Sequence, residues 1–285
     1  MGRSRRVVHL SDLHFGRTRP ELLEPLITAV NAQAPDLVAV SGDLTQRART
    51  WQFEAARAFL DRIDAPRLVV PGNHDVPLDN LPVRLFRPFG RYRRWIGSIV
   101  EPCYRDEAMV VLGLNTVNPL SWQRGRLPSR VVRRACVALG AERDGLTRII
   151  VAHHPFEQLP DVDKALMHGA SRAIDAFLEC GADIVLSGHL HTWRAEPFAA
   201  RRGPGGAILQ IQAGTGLSTR LRGEENDFNL LTLETGAVTV TRFVARAETA
   251  VFEPAAAVRF DRGPKGWMRP NVEHAAGIAA APAGR

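Results

Sequence analysis

Val7-Val8-His9-Leu10-Ser11-Asp12-Leu13-His14 decides how the rest of the chain is read, because an apolar run ends abruptly in two metal-binding side chains. The same construction recurs four more times. Leu37-Val38-Ala39-Val40 leads to Gly42-Asp43, and Leu68-Val69-Val70 leads to Gly72-Asn73-His74-Asp75. Ile149-Ile150-Val151-Ala152 leads to His153-His154-Pro155, and Ile184-Val185-Leu186 leads to Gly188-His189-Leu190-His191. Six of the 9 histidines follow these runs, which concentrates the chemistry of the chain in five places.

A short run of Val, Ile and Leu that stops at a polar or glycine-containing turn predicts a strand buried on both faces of a sheet. Ligands of open α/β sheets gather outside the carboxyl ends of such strands. Five strand ends therefore deliver Asp12, His14, Asp43, Asn73, His153, His189 and His191 toward one place. Asp, His and Asn together suit a borderline-hard metal such as Fe, Mn, Zn or Co rather than a thiolate-seeking one. Seven donors exceed one open tetrahedral site. They suit two metal ions about 3.5–4 Å apart that share a bridging carboxylate.

Each of these residues also has an ordinary structural reading. An Asp after a strand commonly caps a helix or makes an Asx-turn. A single His at a strand end is commonly capped or solvated, and His9, His168 and His274 are read that way. Gly42, Gly72 and Gly188 are read as turn residues that supply positive φ.

The series Asp12-x-His14, Gly42-Asp43, Gly72-Asn73-His74-Asp75, His153-x-Pro155 and Gly188-His189-x-His191 resembles the signature of the calcineurin-like metallophosphoesterases, over about residues 7–245. The wording Ser-Asp-Leu-His-Phe-Gly, Ser-Gly-Asp-Leu-Thr and Pro-Gly-Asn-His-Asp most resembles the bacterial branch that includes class III cyclic nucleotide phosphodiesterases. The resemblance implies a four-layer α/β/β/α sandwich of two mixed β-sheets flanked by helices, with the metal site at the strand carboxyl ends. It implies one metal on Asp12, His14, Asp43 and His191, and a second on Asp43, Asn73, His153 and His189. It further implies in-line attack on phosphorus by a hydroxide shared between the two ions. His74 is expected beside the site as the catalytic contact to the phosphoryl or leaving-group oxygen. Asp75 is expected to orient a neighbour, and His154 is read as structural, because the family places the metal on the first His of the pair.

The expected activity is hydrolysis of a small phosphodiester such as a 3′,5′-cyclic nucleotide. A phosphomonoesterase, a nuclease, a nucleotide-lipid pyrophosphohydrolase and a non-catalytic binding scaffold are the alternatives on the same residues. No Gly-x-Ser-x-Gly elbow and no P-loop pattern is present, so neither acyl transfer nor P-loop nucleotide binding is supported.

Charge agrees with an anionic partner: the 285 residues carry a formal net charge of +7. A small phosphoester satisfies this, and nucleic acid or an acidic membrane surface stands second. Arg84–Trp95 mixes five arginines with Phe86, Phe89, Tyr92 and Trp95. It reads either as a base-stacking wall or as an amphipathic helix with its aromatics turned inward. In Gly214–Arg222, Arg220 and Arg222 are candidates to hold a substrate phosphate. The sequence indicates no oligomeric state.

The 3 cysteines, Cys103, Cys136 and Cys180, are odd in number and widely spaced, and so read as reduced thiols of a cytoplasmic protein. No run of ~18 apolar residues predicts a membrane span. Helices are expected near 20–33, 50–61, 128–140 and 171–180, and strands near 6–11, 36–41, 67–71, 109–115, 147–152 and 183–187. Alternating segments at 207–213, 228–234 and 237–245 predict an antiparallel end. The domain is expected to close at residue 246, with 247–285 an extension that is at least partly disordered.

Overall fold

The computed structural model describes residues 4–142, 145–157, 165–197, 207–263 and 266–270. β1 (Arg5–Leu10), α1 (Leu23–Ala32), β2 (Leu37–Val40), α2 (Thr50–Leu60) and β3 (Arg67–Val69) alternate strand with crossover helix. The short helices α3 (Leu81–Phe86) and α4 (Gly90–Trp95) and strand β4 (Cys103–Arg105) lead to a second alternation. It comprises β5 (Met109–Leu114), α5 (Ser129–Gly140), β6 (Thr147–Ala152), α6 (Ala170–Glu179) and β7 (Ile184–Ser187). Then come β8 (Arg194–Pro197), β9 (Leu209–Gln212), β10 (Asp227–Glu234), β11 (Ala237–Ala245), β12 (Phe252–Gly263) and β13 (Gly266–Met268).

These strands form two mixed sheets. One has the order β13-β12-β11-β10-β1-β2-β3, and the other β4-β5-β6-β7-β9-β8. Side-chain alternation explains why they stack. Val7, Leu37 and Ala39 of the first sheet pack with Val111, Ile149, Val151 and Ile184 of the second. Their immediate neighbours Val8, Val38 and Val40 turn the other way, onto Leu26, Val30 and Phe53 of α1 and α2. Val110, Ile150 and Val185 likewise meet α5 and α6. A strand with apolar residues on both faces can only sit between two layers, so the unbroken Val/Ile/Leu runs produce the α/β/β/α sandwich.

The described residues correct four expectations. First, the sheet does not stop at residue 246: β12 pairs with β11 from Ala237↔Asp261 to Ala245↔Phe252, across a register shift at Arg242/Phe243. Most β12 side chains are exposed, so its sequence shows no apolar period although its backbone is paired with β11 along nearly its whole length. Residues 271–285, which include His274 and most of the expected tail, lie outside the described residues. Second, Cys136 and Cys180 form a disulfide with a Cα–Cα distance of 5.4 Å, and Cys103 is exposed. The two helices carrying the pair pack side by side, which a sequence separation of 44 does not reveal. Cysteine usage therefore no longer argues for a reducing compartment.

Third, Arg84–Trp95 is two helices broken at Arg87–Phe89, where Pro88 disfavours helical geometry in the residue before it. Tyr92 is buried, Phe89 and Trp95 pack against the core and Arg87, Arg93 and Arg94 are exposed, as an inward-aromatic helix requires. Arg84, however, is buried and Phe86 exposed, the reverse of that arrangement. Fourth, of the three turn glycines only Gly42 has positive φ, at 94°. Gly72 and Gly188 are required for closeness instead. A Cβ on Gly72 would collide with the Asp43 carboxylate, and one on Gly188 with Ser11 Oγ and Asp12 Oδ2. Among the described residues, no helix is long and apolar enough to cross a membrane.

Candidate metal centre

The loops after β1, β2, β3, β6 and β7 meet at the carboxyl edge shared by the two sheets. Asp12, His14, Asp43, His189 and His191 all take left-handed backbone, with φ of 50°, 50°, 51°, 72° and 60°. Asp and His tolerate this region better than most residues. It still costs of order 1–3 kcal/mol each, a strain typical of functional sites. The reversal is what turns consecutive side chains from the strand direction toward a common point.

Two groups form around Asp43. In the first, Asp12 Oδ1 lies 3.1 Å from His191 Nε2 and 3.5 Å from His14 Nε2. The two ring nitrogens are 3.2 Å apart. In the second, His153 Nε2 lies 3.0 Å from Asn73 Oδ1 and 3.2 Å from His189 Nδ1. Asp43 Oδ2 stands between them, 3.7 Å from His14 Nε2 and 3.4 Å from His153 Nε2. All seven residues expected to be ligands are thus brought together.

The outer hydrogen bonds decide which ring atoms face inward. A carbonyl can only accept, so His153 Nδ1 donates to Ser41 O at 2.9 Å and His191 Nδ1 donates to Arg220 O at 2.8 Å. Whenever either ring is neutral, Nε2 is then the atom that keeps its lone pair for the cluster. Asp12 is arranged in the same way. Its Oδ2 accepts from Ser11 Oγ at 2.6 Å and from His189 N at 2.9 Å. Its buried Oδ1 accepts no hydrogen bond and faces His191 and His14. Burial pushes the Asp12 carboxyl up, but the His191 imidazolium, when that ring is protonated, and the closeness of the His14 and His191 rings outweigh it and hold Asp12 well below the usual range. Lone pairs converging on a buried carboxylate are what a cation requires, and the donor set therefore fits metal ions.

His154 lies close enough to His153 and His189 that the three could hold a metal ion, but both of its ring nitrogens make other bonds. Its Nε2 donates to Gln123 O and its Nδ1 accepts from Thr116 Oγ1, at 2.9 and 2.8 Å. His74 stays outside both groups: Nδ1 donates to Gln46 O at 2.9 Å, and Nε2 accepts from Arg220 Nη1 at 2.9 Å. Burial is the main cause that holds the His74 ring below its ordinary pKa. Asp75 accepts from the amides of Leu44, Thr45 and Gly72 and from Thr45 Oγ1, tying the β2 and β3 loops together. Burial, reinforced by the Asp43 charge, pushes it up to about 7. Arg220 therefore joins the site, whereas Arg222 is exposed and forms no hydrogen bond to the cluster among the described residues.

Sequence reading passed over the layer beneath the ligands. His9 Nε2 meets Ser41 Oγ at 2.9 Å, Ser41 Oγ donates to Ser11 Oγ at 2.8 Å, and Ser11 donates to Asp12. Because the chain ends on a carboxylate, every proton in it points toward Asp12, and His9 carries its hydrogen on Nε2. Ser11 and Ser41 stand beside Asp12 and Gly42-Asp43 in the same two blocks, and that adjacency was the available signal.

The family model for calcineurin-like phosphoesterase matches residues 5–193, which contain every one of these donors. The chain belongs to this family. As a calcineurin-like phosphoesterase it is a hydrolase, and its family implies metal ions at such a site. It is 28% identical over 199 residues to a probable cyclic nucleotide phosphodiesterase of Synechococcus sp., covering 65% of this chain and 72% of that protein. It is 34% identical over 80 residues to a glycerophosphodiester phosphodiesterase, GpdQ, of Enterobacter lignolyticus, covering 24% and 29% of the two chains. Its fold resembles that of purple acid phosphatase PPD1 from yellow lupin (Lupinus luteus) seeds, with a TM-score of 0.64 at 13% identity. That alignment covers 91% of this calcineurin-like phosphoesterase and 54% of the lupin chain, so the chain spans about half of the plant protein.

Proposed function

We propose that the protein is a dinuclear metal-dependent phosphodiesterase acting on a small phosphodiester, with a 3′,5′-cyclic nucleotide as the first candidate. One observation carries the reading: Asp43 Oδ2 lies between two separate donor groups, 3.7 Å from His14 Nε2 and 3.4 Å from His153 Nε2. Asp12, His14, Asp43 and His191 would hold one ion, and Asp43, Asn73, His153 and His189 the other. Such ions neutralise phosphoryl charge and acidify water at the site. The preference for a diester is supported by the names of the two relatives, both phosphodiesterases.

The chain's own groups complete the site. Arg220, hydrogen-bonded to His74 Nε2, presents a guanidinium that suits a non-bridging phosphoryl oxygen. His74, its ring fixed by the Nδ1 bond to Gln46 O, would contact the leaving oxygen through Nε2 once substrate draws the Arg220 guanidinium away from that atom.

The test is hydrolysis by Mn-reconstituted protein of a chromogenic diester, its monoester and 3′,5′-cyclic AMP, beside an Asp43→Asn variant. Diester preference with cyclic AMP turnover, lost in Asp43→Asn, is the expected result. Monoester preference, or wild-type turnover by Asp43→Asn, overturns it.

A further inference from the structure

The positive charge of this chain is concentrated in two segments. Residues 80–100 and 108–141 contain ten arginines and neither Asp nor Glu. The whole chain has a net charge of only +7, so the remainder is net negative. The fold brings these two segments together: Leu85 and Phe89 line one surface cavity with Leu120, Arg126, Arg130 and Arg134, and Glu101 between the segments pairs with Arg134 there.

Large apolar side chains stand exposed on the same surface. Leu81 is 61% exposed, Phe86 83%, Leu120 77% and Trp122 70%. They are held in place rather than left at the tip of a free loop. The buried Arg84 guanidinium donates to Pro119 O at 2.7 Å, Pro77 O at 3.1 Å and Ser121 O at 2.5 Å, which fixes α3 to the loop carrying Leu120 and Trp122. Burying a guanidinium is costly unless its donors are satisfied, and here three carbonyls satisfy it. That same loop reaches the metal centre, because Gln123 O accepts from His154 Nε2 and the His154 ring lies 4.6 Å from that of His189.

A fixed set of aliphatic and aromatic side chains stands among arginines of which only Arg134 is answered by a carboxylate in this cavity, that of Glu101, and this combination has one physical counterpart. Apolar patches of this kind mark interaction surfaces. Arginines favour the negative potential of anionic headgroups, while Leu, Phe and Trp enter the boundary of the acyl chains. Nucleic acid would use the arginines and the aromatic rings but leave Leu81, Leu85 and Leu120 unused. We infer that the α3 face and the 118–126 loop form a docking surface for an anionic lipid bilayer, placing the metal centre at the membrane interface. This goes beyond the hydrolase reading and holds whichever phosphoester is cut.

Co-sedimentation of the full chain with vesicles of phosphatidylcholine alone, or mixed with phosphatidylglycerol, tests it. Binding to the anionic vesicles at least tenfold tighter than to the neutral ones is expected. Leu120→Ser/Trp122→Ser should lose about tenfold in binding, as should Arg126→Gln/Arg130→Gln. Hydrolysis of a soluble chromogenic diester should be unchanged in both, so a failed hydrolase assay would bear on the proposed function and not on the docking surface. Equal binding to both vesicles, or variants that bind as the wild type does, would overturn the inference. So would displacement from vesicles by a single-stranded oligonucleotide whose binding needs the same side chains.

Discussion

Ser11 Oγ donates to Asp12 Oδ2 at 2.6 Å, and that bond determines which Asp12 oxygen the metal centre receives. With His189 N also on Oδ2, the carboxylate cannot rotate without breaking two buried hydrogen bonds. Oδ1 is left as the inward oxygen. Ser11→Ala removes one of the two restraints and keeps the volume nearly constant. Outer partners of a metal ligand are typically worth 10–100-fold in metal affinity. Mn²⁺ titration calorimetry should therefore show one of the two sites weakened by about tenfold or more. Two unchanged sites would refute the role assigned to Ser11.

Gly72 is a packing requirement rather than a turn requirement. Its φ is −104°, which any residue adopts, yet a Cβ there would meet the Asp43 carboxylate and amide. Gly72→Ala should destabilise the fold by about 1–3 kcal/mol, the usual cost of overpacking. It should also displace Asp43 from between the two donor groups. Urea unfolding together with bound-metal analysis checks both effects, and a variant with normal stability and metal content would show that the loops separate freely.

His9 makes stability depend on acid. Its ring is buried, and burial pushes it down to about 3 from 6.5. The unfolded chain binds a proton in the range where the folded chain does not. Stability from this group is thus complete above pH 6.5 and is lost progressively as pH falls toward 3. His9→Gln keeps a donor for Ser41 and removes the titration. Urea midpoints measured across this range should fall less steeply for His9→Gln than for the wild type. Parallel curves would mean that His9 is not held neutral in the fold.

Arg220 and His74 act as a pair, joined at 2.9 Å. Arg220→Gln should leave bound metal unchanged, since the His191 contact is to the Arg220 backbone carbonyl. Diester kcat/KM should fall about tenfold or more, through the loss of a charge-assisted phosphate contact. His74→Gln should lower kcat by about 10²-fold, again with metal retained. Metal loss in either variant would place these residues among the ligands instead.

The two alternating strand-helix halves and the donor cluster were legible in the sequence for one physical reason. Strands buried on both faces must be apolar throughout, so Val7–Leu10, Leu37–Val40 and Ile149–Ala152 announce themselves, and the polar residues that stop them mark the strand ends. β12 was not legible, because an exposed strand is held by its main-chain ladder and needs no apolar period. Nor was the Cys136–Cys180 pair, which depends on how two helices lie across one sheet.

The sequence by itself determined which side chains would converge and that they would suit metal ions, because identity and order along the chain are enough to place residues at strand ends. Tertiary structure alone decided which atom each residue offers. Asp12 Oδ1 rather than Oδ2, and Nε2 rather than Nδ1 of His153 and His191, follow from bonds to Ser11, Ser41 and Arg220. Those partners reach the ligands through space from other loops, apart from the neighbouring Ser11. A proton's position on an imidazole is set by whatever carbonyl the fold brings beside it, which no local pattern encodes.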